Sequence, residues 1–130
     1  MTLAEKVLAL RGIPPFDRLG DNELLLVARA FGVRHYRAGQ AVSVDDLPLE
    51  RLHVVLDGAL VRPGGEPTGT VVGAAALLLG RPLENLSAST EKGATCLVLS
   101  RSNLYTTVNE CPALLLGLRD LWSADPALVS

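Results

Sequence analysis

Few residues of this sequence are of a type that does chemistry. They are His35 and His53, Cys96 and Cys111, the acidic group Asp45, Asp46 and Glu50, and Gly73 with the apolar run that follows it. A catalytic metal site needs two or three histidines and a carboxylate converging within one hairpin. His35 and His53 fall in different predicted strands without a His-x-His spacing, so each reads as a surface or hydrogen-bonded histidine and not as a ligand. The two cysteines have neither the spacing of a redox pair nor neighbours that could close a zinc site, and read as free thiols. Cys96, in an apolar strand, is expected to be buried; Cys111, ahead of Pro112, is expected to be the more exposed. Asp45, Asp46 and Glu50 lack the EF-hand spacing and its glycine and read as a solvated turn. There is no Ser/His/Asp order, P-loop or dinucleotide fingerprint, and no ligand set for haem or an iron–sulfur cluster. The expectation is a protein that is not an enzyme and holds no metal and no cofactor.

Gly73 is the place where backbone chemistry is on offer. A strand ending there and opening a short helix over Ala74 to Leu78 would turn backbone N–H groups and a positive helix end toward an anion. The run Ala74 to Leu79 could be an apolar floor for a ligand or the packing face of a short helix; packing is preferred, because apolar runs are usually core.

The elements that would position these residues follow from periodicity. Leu3, Val7, Leu8 and Leu10 predict a helix over Thr2 to Arg11, stopped by Gly12 and Pro14-Pro15. Asp21 is expected to cap a second helix carrying Leu24, Leu25, Ala28 and Phe31 on one face, with Gly32 as its stop. The pattern then shortens. Val33 to Tyr36, Ala41 to Val44, Leu52 to Leu56, Ala59 to Arg62, Thr70 to Val72, Leu86 to Ser89 and Thr95 to Leu99 read as short strands. Gly39 and Asp57-Gly58 stand between strands, and Asp-Gly is a hairpin signal because both central residues of a type I′ turn need φ > 0. Ser100 is placed to cap a helix from Arg101 to about Asn109, and Pro112 to open a last helix ended by Asp125-Pro126. Helices bracketing short antiparallel strands make an α+β fold, mainly β, as one domain over residues 1–130.

Composition agrees. Hydrophobic residues make up 48% and charged residues 20%, so there is enough apolar surface to offset chain entropy and the chain is expected to fold. No apolar run approaches the roughly 20 residues of a membrane helix, and the start does not read as a signal peptide, so a cytoplasmic location without membrane contact is expected. The net charge of −2, with no basic run, offers no source for counterion release, so no nucleic-acid partner is expected.

Seven pieces in order resemble the cyclic nucleotide-binding domains of catabolite activators and protein-kinase regulatory subunits. They are Phe16-x-x-Leu19 with Glu23-Leu24; Tyr36-Arg37-Ala38-Gly39-Gln40-Ala41-Val42; Leu52-His53-Val54-Val55-Leu56-Asp57-Gly58; Gly69-Thr70-Val71-Val72-Gly73; Ala76-Leu77-Leu78; Pro82; and Cys96-Leu97-Val98-Leu99-Ser100-Arg101. The resemblance covers roughly Ile13 to Leu121. It implies an antiparallel β-roll or jelly roll of about seven to eight short strands flanked by N-terminal and C-terminal helices.

In that family the phosphate cassette reads G-E-x-A-L-L-x-x-x-P-R-x-A, its Glu binding the ribose and its Arg the cyclic phosphate. Here Ala74 stands at the Glu position, and Leu83 or Glu84, according to register, at the Arg position. Neither can donate to a phosphate, and a Glu84 carboxylate about 4 Å from one would oppose it by about 4 kcal/mol at an effective dielectric near 20. Arg81 precedes Pro82 and reads as an ordinary surface arginine. The candidate pocket is therefore Gly73, Ala74, Ala75, Ala76, Arg81, Leu83, Glu84 and Asn85, in a cassette without its anchors. The leading expectation is a degenerate regulatory or protein-interaction module. The alternatives are a sensor of a different small anionic ligand, or still of a cyclic nucleotide, and, behind it, a cupin-like metal enzyme. In the family's transcription factors a helix-turn-helix follows the long helix, and after Pro112 to Ser130 there is no room for one, so a complete factor of that type is not expected. Leu114, Leu115, Leu118, Leu121 and Trp122 exceed one helix stripe, and the resemblance implies a homodimer through that helix. An unidentified protein partner completes the expectation.

Overall fold

The computed structural model describes residues 1–43, 51–79 and 85–124, with the backbone alone at Leu79 and at 121–124. The first helix, α1 (Leu3–Arg11), is closed by a capping box: the Glu5 amide donates to Thr2 Oγ1 at 3.1 Å and the Thr2 amide to Glu5 Oε1 at 3.3 Å. A 3₁₀ turn at Phe16–Arg18 leads to α2 (Asp21–Ala30). Asp21 is not its cap. Gly20 holds that place, and its amide donates to Glu23 Oε1 at 3.1 Å, because a carboxylate three residues on reaches back to the free amide. Gly32 does not stop the helix either: Phe31 already turns extended, and Gly32 begins the first strand.

The strands are β1 (Gly32–Tyr36), β2 (Ala41–Ser43), β3 (Arg51–Gly58), β4 (Leu60–Val61), β5 (Val71–Val72), β6 (Leu86–Ala88) and β7 (Ala94–Ser100). Between β5 and β6 lies α3 (Ala74–Leu79), and the chain continues through α4 (Arg101–Glu110) and α5 (Pro112–Ala124). Ser100 caps α4 as expected, taking the Asn103 amide at 3.2 Å, and Pro112 opens α5. All pairings are antiparallel, in a four-stranded sheet ordered β1-β7-β3-β5 and a three-stranded sheet ordered β2-β6-β4. This is the α+β roll: two sheets face each other and do not close into a barrel.

Alternation along the strands builds two cores. Leu52 and Val54 of β3 and Leu97 and Leu99 of β7 turn one way, onto Leu10, Phe16, Leu24, Phe31, Leu104 and Leu114 from the helices. Cys96 and Ala94 turn the other way, onto Tyr36, Leu60, Val72, Leu86 and Ala88 between the sheets. Phe16 and Phe31 meet edge to face at 5.8 Å, and Lys6 Nζ donates to the Phe31 carbonyl at 2.8 Å, which fixes α1 across the end of α2.

The Asp57-Gly58 dipeptide is not a hairpin turn. β3 pairs with β5 and β7, β4 pairs with β6, and the chain passes from one sheet to the other at Gly58. Only Gly58 takes a positive φ, +69°, beside a bulge opposite Cys96 and Thr95. The Ala59 amide donates to the Gly93 carbonyl at 3.2 Å, and a Cβ on Gly58 would overlap that carbonyl. Close backbone crossing, more than turn chemistry, places a glycine here.

Candidate functional site

Gly73 leaves β5 with φ +100°, a conformation side chains avoid, and is buried as α3 begins. The Leu77 amide donates to the Gly73 carbonyl at 2.9 Å, closing the first turn. Ala74 is only 4% exposed and Leu77 only 2%, and both belong to the core against the four-stranded sheet; Ala75 and Ala76 are half-buried. The apolar run therefore packs, and the position that carries a carboxylate in the family pattern is a methyl group set into the core. At its other end α3 is held from outside: Tyr105 of α4 donates its hydroxyl to the Leu77 carbonyl at 3.0 Å. Arg81, Leu83 and Glu84, like Asp45, Asp46 and Glu50, lie outside the described residues. Asn85 is half-buried, and its Oδ1 is buried without a hydrogen-bond partner.

The space between the sheets carries a polar pair that the sequence reading did not join. His53 is 2% exposed. Its Nδ1 lies 3.2 Å from the Arg51 carbonyl, which can only accept, so Nδ1 is the protonated nitrogen. Nε2 then accepts from the Tyr36 hydroxyl at 2.8 Å. Burial holds the imidazole down to about 4, with the Arg51 hydrogen bond opposing and the charges of Arg51 and Arg34 adding to the depression. Burial likewise raises the Tyr36 hydroxyl, and pushes the Cys96 thiol up to about 11. Arg34 lies over the Tyr36 ring, 5.7 Å from its centre. His53 is thus a satisfied histidine, as expected, and a neutral one. His35 is exposed, with Nδ1 3.1 Å from Thr95 Oγ1. Among the described residues, no three His, Cys, Asp or Glu side chains gather as a metal site. The signal for the Tyr36–His53 pair was faint: both rings share the strand face of Cys96, but only the register of β1 and β3 on β7 brings them together.

Two expectations are corrected. Cys111 is buried, 2% exposed, because its thiol turns inward to donate to Glu23 Oε2 at 3.3 Å, and burial raises its pKa. Leu114 and Leu118 do not face a partner: at 0% and 2% exposure they are core residues beneath α5. α5 sits so close to the 3₁₀ turn that a Cβ on Gly117 would come within 2.8 Å of Pro15 Cβ. Leu115, 39% exposed, does face outward, together with Leu116 at 48%. The side chains of Leu121 and Trp122 lie outside the described residues.

The fold is that of cyclic nucleotide-binding domains. The regulatory subunit of a cAMP-independent protein kinase A from Trypanosoma brucei superposes with a TM-score of 0.75 at 17% identity, over 97% of this chain and 48% of that one. The N-terminal domain of a transcriptional regulator from Streptomyces coelicolor gives 0.66 at 22%, over 94% of this chain and 96% of that one. The catabolite activator protein of Thermus thermophilus gives 0.66 at 21%, over 84% and 56%. The chain spans about half the length of the kinase regulatory chains it matches. No family model and no curated protein matches its sequence. One of these three structures belongs to a transcriptional regulator, so the expectation of no nucleic-acid partner gains no support from them. Among the described residues no helix is long and apolar enough to cross a membrane.

Proposed function

We propose that the chain is a non-catalytic regulatory module of cyclic nucleotide-binding fold that has lost cyclic nucleotide binding and acts in the cytoplasm through protein contacts. The observation that carries this reading is Ala74, a buried methyl where the family pattern needs a ribose-binding carboxylate, at the start of a helix that packs into the core. Each charge-assisted contact contributes about 1.5–3 kcal/mol, so losing the Glu and the Arg together lowers affinity by about two to four decades. The likeness to a subunit of a cAMP-independent kinase fits a fold that is retained without that control. Coupling to the rest of such a module would run through the Tyr105–Leu77 bond, which ties the cassette helix to α4.

The test is calorimetry and thermal melting with cyclic AMP and cyclic GMP up to about 1 mM. A ligand stabilises the fold by RT ln(1 + [L]/Kd), so the melting temperature is expected to stay unchanged. A saturating upward shift in the micromolar range would overturn the reading. Leu115 and Leu116 give α5 an outward apolar surface for a second copy, and a homodimer is the expected state. Light scattering that finds only the monomer mass at high micromolar concentration refutes it.

A further inference from the structure

The four-stranded sheet ends on β1, whose strand partner is β7. Hydrogen-bonding direction alternates along a strand, so the register decides which backbone groups that edge leaves open. The Val55 amide donates away from β7, to the Thr70 carbonyl at 2.8 Å, so Leu52 and Val54 turn their groups toward β7, opposite Leu99 and Leu97. Leu97 and Leu99 then face β3, while Cys96 and Val98 face β1, opposite Arg34 and Gly32. Val33 and His35 are left. Their N–H and C=O groups point off the sheet, and among the described residues no backbone or side-chain group bonds to them. The edge is also accessible, with Gly32, Arg34 and His35 exposed and Val33 half-buried.

We propose that β1 takes an extended acidic segment of a partner protein as a fifth, antiparallel strand, through ladder bonds to Val33 and His35 and a carboxylate opposite Arg34. This names the kind of partner for the protein-contact reading above, and a failed peptide titration leaves the outcome of the nucleotide melts untouched.

Charge selects the occupant. Between Glu23 and Asp45 the chain has no Asp or Glu, yet it carries Arg29, Arg34, His35 and Arg37, in a protein of net charge −2. The three arginines are exposed, and none is ion-paired among the described residues. Arg34 lies over the Tyr36 ring at 5.7 Å, a contact that leaves the positive charge without a carboxylate to neutralise it. Asp57 belongs to the same sheet but stands across β7, opposite Thr95. An incoming residue opposite Arg34 falls at a non-hydrogen-bonded position, where facing Cα atoms come to about 4.5 Å and side chains are closest. A carboxylate there meets the guanidinium. A second copy of β1 fits less well, because it brings its own Arg34 and Arg37 to an edge that already carries them, and like charges across a strand pair repel.

The test is a ¹H–¹⁵N NMR titration of the full chain with acetyl-Thr-Glu-Glu-Val-Thr-amide to about 5 mM. In the antiparallel register its Val lies opposite Val33, the second Glu opposite Arg34 and the first opposite His35. Saturating shifts centred on residues 32–36 are expected. Methylating the Val amide, which donates into the ladder, should weaken binding at least about tenfold, whereas methylating the second Glu amide, which points away, should change it less than about threefold. Replacing both Glu by Lys should weaken binding about tenfold or more, and Arg34→Glu, at an exposed position, should reverse that preference. The proposal is overturned if β1 shows no saturating shifts, if the Lys peptide binds as well, if the two methylated peptides bind alike, or if Arg34→Glu leaves the preference as it was.

Discussion

Replacing His53 by Gln should flatten the dependence of stability on pH between about 4 and 6.5. The imidazole is neutral in the fold, with Nε2 accepting from Tyr36 and Nδ1–H donating to the Arg51 carbonyl, and its pKa falls from 6.5 to about 4. No carboxylate is among the causes of that shift, and the charged side chains that act on the ring, Arg51 and Arg34, both oppose a proton. Because the folded value lies below the unfolded one, the unfolded chain binds the extra proton first. The His53 contribution is therefore fully present above pH 6.5 and is lost as pH falls toward 4. At about 1.36 kcal/mol per unit, the loss reaches about 2 kcal/mol at pH 5 and about 3 kcal/mol below pH 4. Urea unfolding followed by circular dichroism at pH 7, 6 and 5, on the native chain and on His53→Gln, measures it. Carboxylates that titrate in the same range are common to both proteins, so the difference in slope isolates the histidine. Equal slopes, or an NMR titration that places His53 near 6.5, would refute the burial reasoning.

Gly58→Ala should cost more than about 2 kcal/mol, or prevent folding, since its Cβ would meet the Gly93 carbonyl at φ +69°, whereas Gly64→Ala, with nothing within 4 Å, should be nearly neutral in the same melts. Gly117→Ala must push α5 away from Pro15 and is expected to lower stability by about 1–3 kcal/mol; an unchanged melting temperature would show that the helix is free to shift. Tyr105→Phe removes one hydrogen bond to the Leu77 carbonyl, costs about 0.5–1.5 kcal/mol, and should speed amide exchange in α3 relative to β7, which an exchange profile equal in both elements would contradict. Ala74→Glu should destabilise the fold by several kcal/mol without restoring nucleotide binding, because the carboxylate enters a site that is 4% exposed; a stable variant that binds cyclic AMP would refute this.

What the sequence determined by itself was part of what local chemistry enforces, although the Gly20–Glu23 start of α2 escaped it. Ser100 caps because its side chain takes an amide three residues on, Pro112 opens a helix because its missing N–H is not needed there, and the period-two alternation of β3 and β7 marks two buried faces. The ordered motifs around Gly39, Gly58 and Gly73 led to the roll, and Ala74 to a cassette without its carboxylate. Tertiary structure alone decided the rest, because each remaining feature joins residues distant in sequence. Asp57-Gly58 reads as a hairpin in any local window, yet the pairing of β3 with β7 and of β4 with β6 makes it a crossing between sheets. The apolar residues of α5 spread over a broad arc of a helical wheel, and only packing shows that Leu114 and Leu118 turn inward, beneath a helix that runs close to Pro15 at Gly117, while Leu115 stays outside. Tyr36 meets His53 only through the register of two strands on a third, and Arg29, Thr107 and Glu110 line one groove only because α2 packs against α4. Capping and alternation act within a few residues and are written in the chain, whereas the partner of a buried hydroxyl or imidazole is set by packing, which a sequence window does not contain.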